Sequence, residues 1–185
     1  EHKRSLMVGR LFQDPLKGTA PGMTIEENLA LAYLRTAKGK SPFSRISKKD
    51  KDAFRERLSL LNMGLEDRMT QPVGLLSGGQ RQRISLARVI LKDAPIVVLD
   101  EATAYADPEN EEKMEAAIAE LVKGKTLVVI AHKLPAIMNA DQICVMDHGK
   151  LVATGRHQEL IQSCPEYQKL WKAAQDSAEW KVHTA

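Results

Sequence analysis

Two short apolar segments constrain the fold more than any other feature of the sequence. They are Ile96–Leu99 and Thr126–Ala131, and neither shows the apolar/polar alternation of a strand with one solvated face. A helical pattern separates them, with Met114, Ile118 and Leu121 on one face. Strands that are buried on both faces and joined by a helix are typical of a parallel sheet. The sequence therefore predicts an α/β fold.

Helical periodicity dominates before residue 94. Three capping boxes predict helix starts, each pairing a hydroxyl residue with an acid or amide three positions later: Thr24 with Glu27, Ser47 with Asp50, and Ser77 with Gln80. The last of these helices is predicted to run to about Lys92, since Pro95 follows.

The C-terminal part predicts a hairpin and a final helix. Strands at 142–146 and 151–154 are joined by the tight turn Asp147-His148-Gly149-Lys150, and a helix begins near Pro165. We divide the chain into a helical part (1–93), an α/β core (94–164) and a C-terminal helix (165–185).

Composition excludes several classes of protein. The 185 residues are 43% hydrophobic and 28% charged, with no apolar run long enough for a membrane helix. The net charge of +3 is too small to indicate a nucleic-acid partner, and we expect none. Two cysteines without a CxxC motif support neither a disulfide framework nor a zinc site.

The segment Leu76-Ser77-Gly78-Gly79-Gln80 opens a predicted helix with a hydroxyl and two glycines. Backbone N–H groups at a helix N-terminus favour an anion, and glycine lets a phosphate approach the backbone closely. An ordinary capping box explains the same spacing equally well.

Acidic and imidazole side chains follow the two apolar strands. Asp100 and Glu101 come directly after the first strand, and His132 comes directly after the second. Carboxyl ends of parallel strands are where α/β ligands bind, so Asp100 is suited to Mg²⁺ and Glu101 to activating a water. Each feature alone is also compatible with a solvated strand end.

The order of these features resembles the nucleotide-binding domain of ATP-binding cassette (ABC) proteins. LSGGQ, at Leu76–Gln80, matches that family's signature, and the resemblance covers nearly the whole chain. It implies a P-loop NTPase-like α/β domain with an α-helical signature subdomain. It also implies that the domain lacks its N-terminal strands and phosphate loop, because the chain begins just upstream of Gln13.

The resemblance implies a role for each matching residue. Gln13 would sense Mg²⁺, Asp100 would bind Mg²⁺ and Glu101 would be catalytic. Asp107 would belong to the D-loop, and His132 would be the switch histidine. The signature residues would contact the γ-phosphate of an ATP across a dimer; they are Leu76, Ser77, Gly78, Gly79 and Gln80. The segment 155–160 also resembles the family's GxHxEL segment, but we assign no chemistry to His157.

The sequence has no phosphate-binding GxxxxGK[ST] loop. Gly39-Lys40-Ser41 has Leu34 in place of the first glycine, and Gly124-Lys125-Thr126 has Ala119 there. Without the strand that leads into such a loop, strand edges and apolar faces would be uncovered. We therefore expect the chain alone to be marginally stable and prone to aggregate.

Two parts of the chain resemble different branches of the family. Residues 8–34 are similar to the ATPase subunits of binding-protein-dependent importers, whereas the residues from Arg83 onward are similar to exporter-type domains. The join falls in the signature region, which both branches share. The direction of transport therefore stays open.

The leading interpretation is the ATP-hydrolysing subunit of an ABC transporter, with ATP and Mg²⁺ as cofactors. Its partners would be a second nucleotide-binding domain and a transmembrane permease domain, at the cytoplasmic face of the plasma (inner) membrane. One alternative is a catalytically silent fragment or interaction module that supplies only the signature in trans. Another is a soluble ABC ATPase, although the 63 residues between Gln13 and Ser77 leave no room for a long coiled coil.

Overall fold

The computed structural model describes residues 2–34, 46–61, 64–100, 116, 118–130 and 134–182. The chain forms two compact units, Glu1–Ile130 and Ala131–Ala185. The division by role at residues 93/94 and 164/165 stays a prediction.

The first unit contains three parallel strands, β1 (Val8–Leu11), β2 (Ile96–Asp100) and β3 (Thr126–Ile130). Their order is β1-β2-β3, and Asp100 pairs with Ile130 at the end of the β2–β3 ladder. The predicted parallel pairing of the two apolar strands is confirmed. Because all three strands are parallel, their carboxyl ends lie at one edge of the sheet.

Strand β1, which follows a short helix α1 (His2–Met7), is not predicted by the sequence pattern. It is only four residues long and contains a glycine, a residue depleted in strands. Tertiary packing explains the glycine, since a Cβ on Gly9 would lie 3.0 Å from Val89 Cγ1. The strand therefore lies close against the helix that carries Val89.

Three longer helices begin where the capping boxes predict: α2 (Ile25–Leu34), α3 (Lys48–Ser59) and α4 (Gly78–Lys92). The reciprocal side-chain and backbone hydrogen bonds of all three boxes are present. Helix α4 ends at Lys92 as predicted, and Asp93 adopts a left-handed conformation with φ 48°.

The core of this unit joins the apolar faces of the three helices to one another and to the sheet. Helix α4 packs against α2, α3 and β1. Ile118 and Leu121, in a helical segment before β3, are buried as predicted. Met114, the third residue of that predicted face, lies outside the described residues. The fully buried members of the core include Leu11, Ile25, Leu29, Phe54, Val73, Ile84, Leu86, Ala87 and Val97.

The predicted burial of the second apolar strand is wrong. The side chains of Leu127, Val128, Val129 and Ile130 are between 38% and 45% exposed. Strand β3 is the outer strand of the described sheet, so one of its edges has no strand paired to it there. Both faces of the strand are also only partly covered, since the exposed residues 127 and 129 lie on one face and the exposed residues 128 and 130 on the other.

The second unit is a hairpin with two helices. Strands β4 (Ile143–Asp147) and β5 (Lys150–Gly155) are antiparallel, and α5 (His157–Ser163) and α6 (Pro165–Val182) follow. The predicted hairpin turn is confirmed, because His148 and Gly149 have φ of 45° and 75°, as a type I′ turn requires. This unit has its own core, made by Leu134, Ile143, Val145, Leu160, Cys164 and Tyr167.

Candidate functional site

The glycine-rich segment forms the N-terminus of α4. Ser77 is the N-cap, and its Oγ accepts a hydrogen bond from the Gln80 N–H at 3.3 Å. The Gln80 Oε1 in turn accepts from the Ser77 N–H at 3.1 Å. Gly78 and Gly79 form the first turn of the helix, whose N–H groups point along its axis away from the body of α4.

Apart from its chain neighbours and the backbone of its own helix, no atom lies within 4 Å of a Cβ added to Gly78, and the φ of Gly78 is not positive. Neither packing nor backbone conformation in the described structure therefore requires a glycine there. Leu76, just before the cap, is buried and fixes the start of the helix in the core. The helix start is thus anchored on one side and open on the other.

The segment before the signature is tied to the segment after Gln13. Gly74 donates its N–H to the Pro21 carbonyl at 2.9 Å, and Thr24 forms a β-bridge with Pro72. Arg81 donates to the Gly74 carbonyl at 2.9 Å, which adds a bond from α4 itself. The signature helix and the 20–24 segment are therefore held by one hydrogen-bonded network.

Asp100 lies at the carboxyl end of β2, as predicted. Its Oδ2 accepts a hydrogen bond from the Arg10 guanidinium on β1 at 2.7 Å, in an ion pair that is partly exposed. Sequence reasoning missed Arg10, because no local pattern connects residues 90 positions apart. The pair places a cation beside the carboxylate that was predicted to bind Mg²⁺.

Gln13 follows β1 and is exposed, at the same edge of the sheet as Asp100. Glu101, Asp107 and His132 lie outside the described residues. Among the described residues there is no group of three or more His, Cys, Asp or Glu side chains that could hold a metal ion. The two residues predicted to interact with Mg²⁺, Gln13 and Asp100, would offer it one amide oxygen and one carboxylate group.

The buried Asn28 and the half-buried Arg88 form a hydrogen-bonded network that sequence reasoning also missed. The Asn28 amide donates to the carbonyls of Ala20 and Thr24 at 3.0 Å, and its Oδ1 accepts from the Ala20 N–H at 2.8 Å. The same oxygen accepts from the Arg88 guanidinium at 2.9 Å. This network fixes the loop before α2 against α4.

His157 has a structural environment. Its Nδ1 lies 2.8 Å from the Tyr167 hydroxyl, and its ring packs edge-on against Trp171 with 4.7 Å between centroids. These contacts join the first turn of α5 to α6. Burial raises the pKa of the Tyr167 hydroxyl above its ordinary value.

The comparisons with known proteins agree with this arrangement. The family profile described as ABC transporter matches residues 1–104. The chain belongs to the ABC transporter family. In the part of this ABC chain that the structure describes, no helix combines the length and apolar character needed to cross a membrane.

Its relatives are larger transporters. The chain is 40% identical, over 92% of its length, to the mycobactin import ATP-binding/permease protein IrtA of Mycolicibacterium smegmatis, and covers 19% of that protein. It is 47% identical, over 65% of its length, to the ATP-dependent lipid A-core flippase of Legionella pneumophila, covering 20% of it. The chain thus spans about a fifth of the length of these curated relatives.

A solved structure supports the fold. The chain matches a bacterial Atm1-family ABC exporter with ATP bound at a TM-score of 0.68 and 27% identity, over 91% of this chain and 28% of that one. The mixed α/β architecture is that of the ABC ATPase fold, as predicted.

Proposed function

We propose that this chain is the nucleotide-hydrolysing part of an ABC transporter and that it acts in a head-to-tail pair of such domains. The observation that carries the proposal is the open start of α4, where Ser77 caps the helix and Gly78 has free space around its Cα. Since no described contact requires a glycine there, the exposed backbone favours a phosphate group from outside the chain.

In this proposal the signature acts on ATP held by the opposite domain. The Ser77 hydroxyl and the N–H groups of Gly78 and Gly79 would bind the γ-phosphate, with the helix dipole favouring the negative charge. Glu101 would orient and deprotonate the attacking water. His132 would hydrogen-bond the phosphate or the Glu101 carboxylate, and Asp107 would lie in the D-loop between the domains.

The donors at the carboxyl edge of the sheet fit Mg²⁺, which takes one or two protein oxygens together with phosphate oxygens and water. Asp100 would supply a carboxylate oxygen and Gln13 an amide oxygen. When bound, the ion would offset the charge of the phosphate oxygens. Arg10 would hold the Asp100 side chain in place through the ion pair that the structure shows.

The proposed partners follow from the relative IrtA, whose name combines ATP-binding and permease functions. We propose a second nucleotide-binding domain and a transmembrane permease domain as partners, at the cytoplasmic face of the plasma membrane. Closure of the pair would be transmitted to the permease through the segment that begins at Gln13, since that segment is hydrogen-bonded to the signature region.

The chain by itself would supply half of a composite site, because its sequence holds no GxxxxGK[ST] loop. Complementation in trans tests this. An exporter-type ABC ATPase domain whose own signature serine is replaced by arginine keeps its phosphate loop but has a defective signature. Adding this chain should restore ATP hydrolysis.

Two variants make the experiment specific. Ser77→Arg should abolish the rescue, whereas Ser59→Arg, at the exposed end of α3, should leave it intact. Rescue by both variants to the same extent, or no rescue by the unmodified chain, would contradict the proposed role of the signature.

Nucleotide binding by the chain alone gives a second test. A fluorescent ATP analogue is titrated with Mg²⁺ into the unmodified chain and into Glu101→Gln, which would prevent turnover. We expect no saturable binding by either protein. Tight binding that is lost in Lys125→Ala would show that the 124–126 segment replaces the phosphate loop, and the half-site proposal would then be wrong.

A further inference from the structure

Arg81 forms hydrogen bonds to the chain on both sides of the helix cap at the signature. Its backbone N–H donates to the Ser77 carbonyl at 2.9 Å, which closes the first turn of α4. Its guanidinium reaches back past the cap, where Nε donates to the Val73 carbonyl at 3.2 Å and Nη2 donates to the Gly74 carbonyl at 2.9 Å. One half-buried residue of α4 therefore holds the segment that leads into the signature.

The segment that Arg81 holds is a single turn of 3₁₀ helix, Val73–Leu75. Such a turn has little stability of its own, because its hydrogen bonds are few and poorly aligned. The bond from the Leu76 N–H, at 3.1 Å, goes to the same Val73 carbonyl that accepts from Arg81. The position of the turn, and of Ser77 two residues beyond it, therefore depends on groups outside the turn.

Main-chain contacts with the 20–24 segment hold the same turn. The Val73 N–H donates to the Met23 carbonyl at 2.9 Å. The Gly74 N–H donates to the Pro21 carbonyl, also at 2.9 Å. A Cβ on Gly74 would lie 3.0 Å from the Pro21 carbonyl oxygen, so a glycine lets the two backbones come this close. Two sets of bonds thus fix the turn, one from the main chain and one from a guanidinium.

The two side-chain bonds depend on the shape of an arginine. A guanidinium carries several N–H groups in one rigid plane, so Nε and Nη2 can reach two successive carbonyls at once. A lysine at this position would keep the positive charge but would present a single ammonium group on a flexible chain. Exchange of arginine for lysine therefore separates the geometry of Arg81 from its charge.

We propose that Arg81 is a positioning residue for the signature. By fixing the 73–75 turn, its guanidinium holds the Ser77 cap and the open N–H groups of Gly78 and Gly79 in one direction before a phosphate group arrives. Donors that are already in place stabilise developing charge more strongly than donors that must first be ordered. This role rests on the function proposed for the signature, and Arg81 would act through the main chain of the turn rather than on ATP itself.

The complementation assay tests this role when the chain is titrated against the signature-defective ATPase domain. Arg81→Lys should lower the rate of ATP hydrolysis at saturating chain about tenfold, because displaced donors stabilise the transition state less. The chain concentration that gives half of the maximal rate should not change. A simple loss of folded chain would instead raise that concentration and leave the saturated rate as it was. Arg57→Lys, the same exchange at an exposed position of α3, is the matched control and should act as the unmodified chain does.

A measurement on the chain alone separates a failure of this proposal from a failure of the proposed function. In Arg81→Lys, the heteronuclear Overhauser effects of the Gly78 and Gly79 amides should fall, because the start of the helix would move more on the picosecond-to-nanosecond timescale. The values for Ile84 and Leu86, in the buried part of α4, should not change. Unchanged values there also show that the variant is folded.

A second variant reaches the same turn without changing the arginine. Gly74→Ala should also lower the Gly78 and Gly79 values, because the added methyl group would push the turn away from the Pro21 carbonyl. Unchanged values in both variants, or full rescue of hydrolysis by Arg81→Lys, would overturn the proposal. Absence of rescue by the unmodified chain would contradict the proposed function instead, and the relaxation measurements would then decide whether Arg81 positions the signature.

Discussion

Ion pairing over a long sequence distance decides the environment of Asp100. The residue was predicted from its place after an apolar strand, and the structure confirms that place. Its partner Arg10 comes from β1, which the sequence pattern does not reveal. A pair this exposed contributes about 1 kcal/mol or less to stability, so its main effect is to orient the carboxylate.

The environment of Glu27 leads to a prediction about how the stability of the fold depends on pH. Hydrogen bonds from the Thr24 backbone and hydroxyl to its carboxylate lower the Glu27 pKa below its ordinary value. The carboxylate therefore stabilises the fold above the unfolded-state pKa, and this contribution is lost as the pH falls through the folded-state pKa. Glu27→Gln keeps a hydrogen-bond acceptor but cannot be protonated in this range. We therefore expect its free energy of unfolding to fall less on acidification than that of the unmodified chain.

Urea unfolding of the two proteins between about pH 6 and about pH 3 measures this difference. Glu56→Gln, an exposed acid on α3, is the matched control. The same pH dependence in the unmodified chain and in Glu27→Gln would show that the capping carboxylate does not contribute as described.

Strand β3 is the secondary-structure element that we expect to contribute most to aggregation, because its apolar side chains are incompletely buried. Its apolar side chains are exposed on both faces, and such strands pair with other chains. We expect Val128→Lys to slow the growth of light scattering in concentrated samples. Leu31→Lys changes a similarly exposed apolar residue on α2 and should have a smaller effect, because a helix has no open edge.

Aggregation that is unchanged by Val128→Lys would assign the association to another surface. A sharp, reversible thermal transition of the monomeric unmodified chain would likewise contradict the expected marginal stability.

The β4–β5 hairpin depends on Gly149, whose φ is 75°. No atom lies within 4 Å of a Cβ built there, so Gly149→Ala adds backbone strain without a clash. The left-handed conformation costs a residue with a Cβ about 1–2 kcal/mol. Faster hydrogen exchange of the β4 and β5 amides measures this loss, and Gly22→Ala, at an open site without positive φ, should not change it.

The whole chain contains two separate hydrophobic cores, one in each compact unit. The second unit spans only 55 residues, a size at which a core alone gives little stability. Both tryptophans of the chain, Trp171 and Trp180, belong to this unit. Tryptophan fluorescence therefore reports on the second unit, whereas far-ultraviolet circular dichroism reports on both.

We expect the fluorescence transition in urea to come at a lower concentration than the circular dichroism transition. Coincident transitions would mean that the chain unfolds as one cooperative structure. The experiment needs no variant, because the tryptophans already mark one unit.

Local chemistry made several features predictable from the sequence. The three helix starts depend on residues three positions apart, and the hairpin turn depends on the left-handed preference of Gly149 and the tolerance of His148. The LSGGQ segment identified the family for the same reason, since its chemistry lies in five consecutive residues. Glu101, Asp107 and His132 stay predictions, because they lie outside the described residues.

The sequence by itself thus determined the helix caps, the turn, the parallel pairing of the apolar strands and the ABC family. Tertiary structure alone decided the rest. It recruited β1 to the sheet, left both faces of β3 partly exposed and paired Arg10 with Asp100. The physical reason is that caps and turns depend on neighbours a few residues away, whereas burial and charge pairing depend on residues that only the folded chain brings together.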